Sequence, residues 1–158
     1  MPSEAQPTER VVAQNRRARH DYSILETIEA GLVLTGTEVK SLRLGKASLT
    51  EAYATVEGGE AYVLQMHIPP YEQGNRWNPD PVRRRKLLLH RAEIVRLERA
   101  VTQKGETIVP LKLYFSGGNA KLLLAVARGK KTHDKRQAIA ERDARREIDR
   151  ARRHRGRA

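Results

Sequence analysis

The sequence predicts a mainly β domain, a small antiparallel barrel of about six strands with two or three added helices. Short apolar runs recur along the chain and are separated by glycine-rich turns, which is typical of antiparallel strand pairs. Strands and helices show no regular alternation, and this disfavours a doubly wound parallel sheet. We expect a flexible leader over residues 1–14, the barrel over residues 15–127 and a basic tail over residues 128–158.

The first elements after the leader are predicted to be a pair of strands and a short helix. The alternating run at residues 22–26 and the apolar stretch at residues 32–34 favour two paired strands. Thr37 is a suitable helix N-cap, and apolar residues follow it at helical spacing until Gly45 ends the segment. This predicts one short helix.

Two β-hairpins are the clearest local signals in the chain. Residues 52–56 and 61–66 flank one pair of adjacent glycines, and residues 107–115 and 120–127 flank another. Adjacent glycines adopt positive φ at little cost, so they favour the tight turns that join antiparallel strands.

The region between the hairpins is predicted to contain a loop and a helix. Residues 69–81 are rich in proline, glycine and asparagine, which break regular structure and predict a long loop. From about residue 91, apolar residues recur at helical spacing until Lys104 and Gly105 end the segment. A second helix is expected there.

The tail at residues 128–158 carries most of the positive charge of the protein. It contains 13 Lys/Arg against 5 Asp/Glu, so about +8 of the formal net charge of +12 lies in it. Ile139 and Ile148 are its only larger apolar residues, too few to bury a helix face. We expect the tail to be disordered when free, to become helical on a polyanion, and to bind nucleic acid unless it is only a solubilising extension.

Composition also predicts what the protein lacks. There is no cysteine, which excludes disulfides, thiolate nucleophiles and Cys-containing zinc sites. The polar N-terminus has no apolar signal region, and no apolar run reaches membrane-spanning length. We therefore expect a cytoplasmic protein that does not engage a membrane.

An enzymatic role would have to start from His20 and Asp21, or from His67 and His90, because histidine beside a carboxylate supports acid–base chemistry. If His20 and Asp21 lie on a strand, their side chains point to opposite faces and form no dyad. The sequence contains no dense metal-ligand spacing, nucleophile elbow or phosphate-binding glycine loop. We expect no catalytic activity, no metal site and no cofactor.

Several strings in the body are specific enough to indicate a family. They are residues 15–22 (NRRARHDY), 29–43 (EAGLVLTGTEVKSLR), 67–71 (HIPPY), 85–90 (RKLLLH) and 127–136 (ARGKKTHDKR). In order and in content they closely resemble the small protein B family, the SsrA-binding proteins of bacteria. The similarity runs from about residue 15 to the C-terminus.

This resemblance implies an oligonucleotide-binding (OB)-type barrel that binds the tRNA-like domain of transfer-messenger RNA and is not an enzyme. In that family the RNA, charged with alanine and escorted by elongation factor Tu, enters ribosomes stalled on an mRNA without a stop codon. The tail then occupies the decoding centre and the empty mRNA channel. The expected partners are transfer-messenger RNA, the small ribosomal subunit with its RNA and, indirectly, elongation factor Tu; the free protein is expected to be monomeric.

The residues expected at RNA fall into two groups. In the body they are Asn15, Arg16, Arg17, Arg19, Glu29, Lys40, Leu88 and Lys121. In the tail they are Arg128, Gly129, Lys130, Lys131, His133, Asp134, Lys135, Arg136, Arg142, Arg145 and Arg146, with His133 expected to stack on a base of the decoding centre.

Other interpretations remain open for the body residues. Leu88 is either a core residue or an apolar face for an unstacked base, and Asn15 is either an RNA contact or a turn cap. Lys121 is either a phosphate contact or a solvated lysine. Glu29 either accepts hydrogen bonds from RNA or orients a neighbouring arginine, and the rival function is a ribosomal protein or general RNA chaperone with a basic extension.

Overall fold

The structure is a computed structural model that describes residues 9–129, apart from the side chains of residues 75–77. Within this range it contains seven strands, three α-helices and one 3-10 helix. In chain order they are β1 (Glu9–Gln14), α1 (Arg16–Asp21), β2 (Tyr22–Leu32), α2 (Gly36–Arg43), β3 (Tyr53–Glu57), β4 (Glu60–Leu64), the 3-10 helix (Glu72–Trp77), β5 (Arg85–Leu88), α3 (Arg91–Thr102), β6 (Thr107–Ser116) and β7 (Asn119–Gly129).

Six strands close into an antiparallel barrel. The order is β6-β3-β4-β5-β2-β7, and a further pairing between β6 and β7 completes the ring. β7 occupies one edge of β6 along its whole length, so β3 and β1 share the other edge, at Ile108 and at residues 112–116 respectively. The predicted barrel with added helices is confirmed, and β1 is a seventh strand attached to it.

The barrel interior is filled by alternating apolar residues of its strands, as the period of two in a strand requires. In β7, for example, Leu122 and Leu124 are fully buried. α3 contributes Leu97 and Ala100 to the same core. A smaller cluster outside the barrel packs Ala18 of α1 against the outward-facing apolar residues of β6 and β7.

Both predicted hairpins and the helix from residue 91 are confirmed. The helix expected from Thr37 begins two residues earlier than predicted. Thr35 is its N-cap, because the Thr35 hydroxyl accepts from the Glu38 N–H while the Glu38 carboxylate accepts from the Thr35 N–H at 2.9 Å. This reciprocal capping box satisfies two backbone donors at once, which Thr37 would not do.

Two strand predictions in the N-terminal half were wrong. The two paired strands expected around residues 22–34 are one continuous strand, β2, which includes Gly31. Residues 9–14, expected to belong to the leader, form β1 and pair with β6. The apolar residues of this segment, Val11, Val12 and Ala13, are consecutive and do not alternate with polar ones, so the open edge of β6 decides its conformation.

The strand β5 was missed, and the predicted loop contains the 3-10 helix. β5 spans four residues, and its inward-facing positions are Arg85 and Leu87. An arginine at a core position hides the alternation from a reading of apolar pattern alone.

No helix among residues 9–129 is long and apolar enough to cross a membrane. The same part of the chain holds no group of three or more His, Asp or Glu side chains placed to bind a metal ion.

Candidate nucleic-acid interface

Three of the predicted body residues meet in one surface cleft of about 460 Å³, here called the β2–β5–β7 cleft. Glu29 lies on β2, Leu88 on β5 and Lys121 on β7. The remaining lining residues are Gly31, Leu89, His90 and Glu93. Residues almost a hundred positions apart in the chain thus form one surface.

Strand register explains why these residues meet. β2 pairs with β5 on one edge and with β7 on the other, and Gly31 lies opposite both Leu88 and Lys121. Side chains of directly opposed residues point to the same face of a sheet. Leu88 and Lys121 therefore flank a position that has no side chain.

The absence of a side chain at Gly31 leaves room for Leu88 on the neighbouring strand. A Cβ atom at residue 31 would lie 3.1 Å from the Leu88 Cβ, closer than most such contacts. Leu88 is 54% exposed, so it is a surface residue and not part of the core. An exposed leucine over an open cleft is the type of apolar face on which an unstacked base packs.

Within residues 9–129, Glu29 is held by a tyrosine and not by an arginine. The Tyr114 hydroxyl donates a hydrogen bond to Glu29 Oε2. Tyr114 is 3% exposed, and burial together with this hydrogen bond raises the pKa of its hydroxyl far above the ordinary value. The hydroxyl stays protonated at neutral pH and can only donate to the carboxylate.

Lys121 is half-buried beside this pair. It lies opposite Tyr114 on β6 and Gly31 on β2. Among residues 9–129, no carboxylate lies within ion-pair distance of its amine. Its charge is thus not neutralised by the described part of the protein.

Asn15 serves as the cap of α1. Its Oδ1 accepts from the Ala18 N–H at 3.1 Å, and its Nδ2 donates to the carbonyls of Pro110 and Leu49 at 3.1 and 3.3 Å. The residue is 8% exposed. The structure therefore places its amide inside the protein, as a turn cap, rather than at the surface.

The arginines of α1 are exposed, and Arg17 Nε lies 3.4 Å from Asp21 Oδ2. The prediction that His20 and Asp21 form no dyad assumed that they lie on a strand. It was wrong, because both residues lie on helix α1. His20 Nδ1 is 3.1 Å from Asp21 Oδ1. The His20 ring is nonetheless largely exposed, which is an unfavourable setting for acid–base chemistry that needs a shielded group.

Lys40 lies on α2 and lines a different cleft. Its Nζ is 5.6 Å from the centroid of the Tyr71 ring, within cation–π range. The cleft is completed by backbone and polar side chains of the α2 N-terminus and of the 3-10 helix. The structure thus divides the eight body residues among three locations.

Sequence reasoning missed a buried ionic cluster that joins α2 to β5. Arg85 is fully buried, and its Nε donates to Glu38 Oε2 at 2.7 Å. Arg83 donates to both oxygens of the same carboxylate, at 2.6 and 2.9 Å. Arg85 also donates to the carbonyls of Met66 and Pro81 at 2.6 and 3.0 Å.

The charges in this cluster are compensated. Burial opposes ionisation of Glu38, but the hydrogen bonds from Arg83 and the Thr35 N–H, with the charge of Arg85, outweigh it and lower the pKa of Glu38. Burial lowers the pKa of Arg85 despite the nearby carboxylate. The Thr-x-x-Glu spacing of residues 35–38, a capping-box pattern, is the sequence signal from which a fixed Glu38 could have been predicted.

Two predicted tail residues fall within the described range, and both belong to β7. Arg128 lies opposite Ser23, and Gly129 lies opposite Tyr22. Arg128 Nη2 is 3.1 Å from Glu106 Oε2. The strand therefore continues two residues past the predicted boundary at Ala127. The other predicted tail residues, Lys130, Lys131, His133, Asp134, Lys135, Arg136, Arg142, Arg145 and Arg146, lie outside the described residues.

Comparison with known proteins gives consistent results. A family model described as SmpB protein matches residues 12–154. The chain is 62% identical to an SsrA-binding protein of Acetivibrio thermocellus over 146 residues, which is 92% of this chain and 95% of that relative. It is 61% identical to an SsrA-binding protein of Pelotomaculum thermopropionicum, over 90% of this chain and 93% of the relative.

A solved structure is also similar. It is described as "tmRNA-SmpB: a journey to the center of the bacterial ribosome", and one of its chains is 59% identical to this one. The TM-score is 0.64, and the alignment covers 75% of this chain and 84% of the other.

Proposed function

The chain is a member of the SmpB protein family, and from this premise we propose that it binds transfer-messenger RNA, the SsrA RNA, and delivers it to stalled ribosomes for trans-translation. The observation that carries the proposal is the β2–β5–β7 cleft. Glu29, Leu88 and Lys121 were assigned to RNA from family resemblance alone, and they lie in one cleft although they are remote in the chain.

The cleft supplies three kinds of contact that RNA recognition needs. Leu88 offers an apolar surface for a base that has left its stack, and Lys121 offers a cation for a phosphate. Glu29 accepts hydrogen bonds from a base edge or a 2′-hydroxyl. A combination of stacking, charge and acceptor groups suits a folded RNA with unpaired loops, such as a tRNA-like domain.

The outlying basic residues add contacts that are independent of sequence. Arg16, Arg17 and Arg19 project from α1, and Lys40 projects from α2, all exposed. We assign them to phosphates of the same RNA. Asn15 contributes by fixing α1, because its own amide is used within the protein.

The tail carries the ribosomal part of the proposal. With its net charge of about +8, residues 128–158 would lie along RNA in the decoding centre and the mRNA channel and become helical there. His133 would stack on a decoding-centre base, between the basic pairs at residues 130–131 and 135–136. Elongation factor Tu would be engaged only through the alanylated RNA. The protein would act in the cytoplasm as a monomer and without catalysis.

The first experiment measures selectivity of the full chain. We expect it to bind the tRNA-like domain of transfer-messenger RNA much more tightly than an unrelated structured RNA of equal length at the same salt concentration. Equal affinities would favour the rival function, a ribosomal protein or general RNA chaperone with a basic extension.

The second experiment locates the contact. Leu88→Ala should weaken binding about fivefold to tenfold, the lower end of the ~1–3 kcal/mol for loss of an aromatic side chain that stacks on a base, because leucine is not aromatic. Leu44→Ala is the matched control, since Leu44 is 60% exposed and lies outside the cleft. Similar affinities for both variants would contradict the proposed interface.

The third experiment separates the barrel from the tail. A chain that ends after Gly129, where β7 ends, should keep its affinity for the tRNA-like domain and lose tagging on ribosomes stalled without a stop codon. His133→Ala in the full chain should bind the RNA normally and lower peptidyl transfer. Normal tagging by the shortened chain would refute the division of labour.

A further inference from the structure

Beside the β2–β5–β7 cleft, a row of polar side chains starts on β1 and β6 and reaches across β7 to β2. Lys112 Nζ lies 2.8 Å from Glu9 Oε1 and 4.7 Å from the centroid of the Tyr114 ring. The Tyr114 hydroxyl donates to Glu29 Oε2. We call these four residues the Glu9–Glu29 row.

The donor and the acceptor of the Tyr114–Glu29 hydrogen bond are in different environments. Tyr114 is 3% exposed, with an ammonium group over its ring, so its ring has little freedom to move. Glu29 is exposed on the cleft wall. The hydrogen bond therefore fastens a solvent-facing carboxylate to a rigid donor.

Only one carboxylate oxygen is used in this contact. Among residues 9–129, Glu29 Oε1 has no hydrogen bond or ion pair. An unfastened glutamate on a strand samples several rotamers, and ordering it on binding costs free energy. Because Tyr114 holds Oε2, the carboxylate has a fixed orientation, and Oε1 has a defined position before RNA binds.

An electrostatic difficulty makes this orientation important. A carboxylate near RNA is repelled by phosphates, so it contributes to binding only when it meets a hydrogen-bond donor. A neutral donor such as a tyrosine hydroxyl fixes the carboxylate without neutralising it, whereas an arginine would compete with the RNA for its charge.

We infer that Tyr114 is a positioning residue for RNA recognition, which holds Glu29 so that its free oxygen accepts a hydrogen bond from an amino, imino or 2′-hydroxyl group in the RNA. The inference rests on the proposed function. It also gives β1 a role, because Glu9 holds Lys112 over the Tyr114 ring.

The test is a double-mutant cycle in the full chain, with affinity for the tRNA-like domain as the readout. Tyr114→Phe removes the hydroxyl and keeps the ring, and should weaken binding about threefold to tenfold. Glu29→Ala should weaken it at least as much. In the Glu29→Ala background, Tyr114→Phe should have no further effect, since there is no carboxylate left to orient.

Tyr62→Phe is the matched control. Tyr62 lies on β4 outside the cleft, and like Tyr114 it has a cationic side chain over its ring, with Arg84 4.0 Å from the centroid. This variant should bind RNA as the unmodified protein does. If Tyr114→Phe folds poorly, Glu29→Asp serves instead, because the shorter side chain keeps the charge and loses the reach to Tyr114.

The outcomes separate this inference from the proposed function. If Glu29→Ala weakens binding and neither Tyr114→Phe nor Glu29→Asp does, the positioning role is overturned and the interface stands. If Tyr114→Phe weakens binding equally with and without Glu29, its effect is general and the inference is also overturned. If neither Leu88→Ala nor Glu29→Ala changes affinity, the proposed interface itself is wrong.

Discussion

The β2–β5–β7 cleft and helix α1 are both proposed to contact RNA, but they are built differently. The cleft takes one predicted RNA contact from each of three strands, so its geometry depends on the register of β2 with its two neighbours. α1 takes its arginines from one continuous string, and a single side chain, Asn15, caps it and ties it to the barrel. Damage to the barrel should abolish the cleft as a whole, whereas damage at Asn15 should loosen one helix.

The largest effect is expected from the buried cluster that supports the cleft. Arg85→Met removes the fully buried partner of Glu38, leaves that carboxylate with Arg83 alone, and deprives the carbonyls of Met66 and Pro81 of their donor. We expect a loss of about 3–5 kcal/mol in the free energy of unfolding. Urea denaturation measures it.

A control from α1 sharpens this comparison. Arg16→Met replaces an exposed arginine and should leave the unfolding midpoint unchanged. If the two variants are equally stable, the cluster does not anchor β5.

A smaller loss of stability is expected at Asn15. Asn15→Ala removes the cap of α1 and two buried hydrogen bonds, for a cost of about 1–3 kcal/mol. Asn15→Asp keeps the capping oxygen but turns a second carboxylate oxygen toward the carbonyls of Pro110 and Leu49, so it should be at least as destabilising as Asn15→Ala in denaturant unfolding. RNA affinity should fall modestly in both, through α1. A large loss of affinity in a variant that remains fully folded would instead indicate direct contact of Asn15 with RNA.

The effect on stability should be smaller still at Gly31. Gly31→Ala places a methyl group 3.1 Å from the Leu88 Cβ and 3.4 Å from its Cδ1. The exposed Cδ1 can rotate away, but the Cβ moves only with the backbone of β5. We expect a loss of about 1 kcal/mol in stability. RNA affinity should fall several-fold because Leu88 is displaced, while a Gly36→Ala variant, whose added methyl group meets no neighbour, should bind normally.

The smallest effect is confined to acidic solution. Because the folded protein lowers the pKa of Glu38, this group contributes stability that is fully present above its unfolded pKa of about 4.5 and is lost as the pH falls through the lower folded value. The free energy of unfolding should therefore fall below about pH 4.5 more steeply in the unmodified protein than in Glu38→Gln. Parallel pH profiles would show that Glu38 titrates alike in both states.

The local elements were predictable because their signals are local. Adjacent glycines specify both hairpin turns, and helical spacing specifies α3. The strand β5 was not predictable in this way, since its first inward residue is an arginine. Glu38 and the Met66 carbonyl, both remote in the chain, make it acceptable in the core together with the nearby carbonyls of Pro81 and Arg83.

In the candidate site, too, some features were predictable from the sequence and others were not. Family resemblance named Glu29, Leu88 and Lys121, but no pattern in the chain indicated that Leu88 is exposed or that Tyr114 holds Glu29. For Asn15, resemblance indicated an RNA contact and capping chemistry indicated a turn cap, and the structure shows the cap. Strand residues are sorted to one face or the other by register, which is a property of pairs of strands.

The sequence by itself determined the antiparallel class, the two hairpins, the helix at residues 91–102, the concentration of charge in residues 128–158 and the family. These follow from turn chemistry, residue spacing and composition, all of which act over a few neighbouring residues. Only the tertiary structure decided that β6 and β7 close the barrel, that residues 9–14 form a strand on β6, and that Leu88, Lys121 and Glu29 share one cleft. Those outcomes depend on which edges and faces meet when remote segments pair, and the pairing free energy is gained only when the whole sheet has formed.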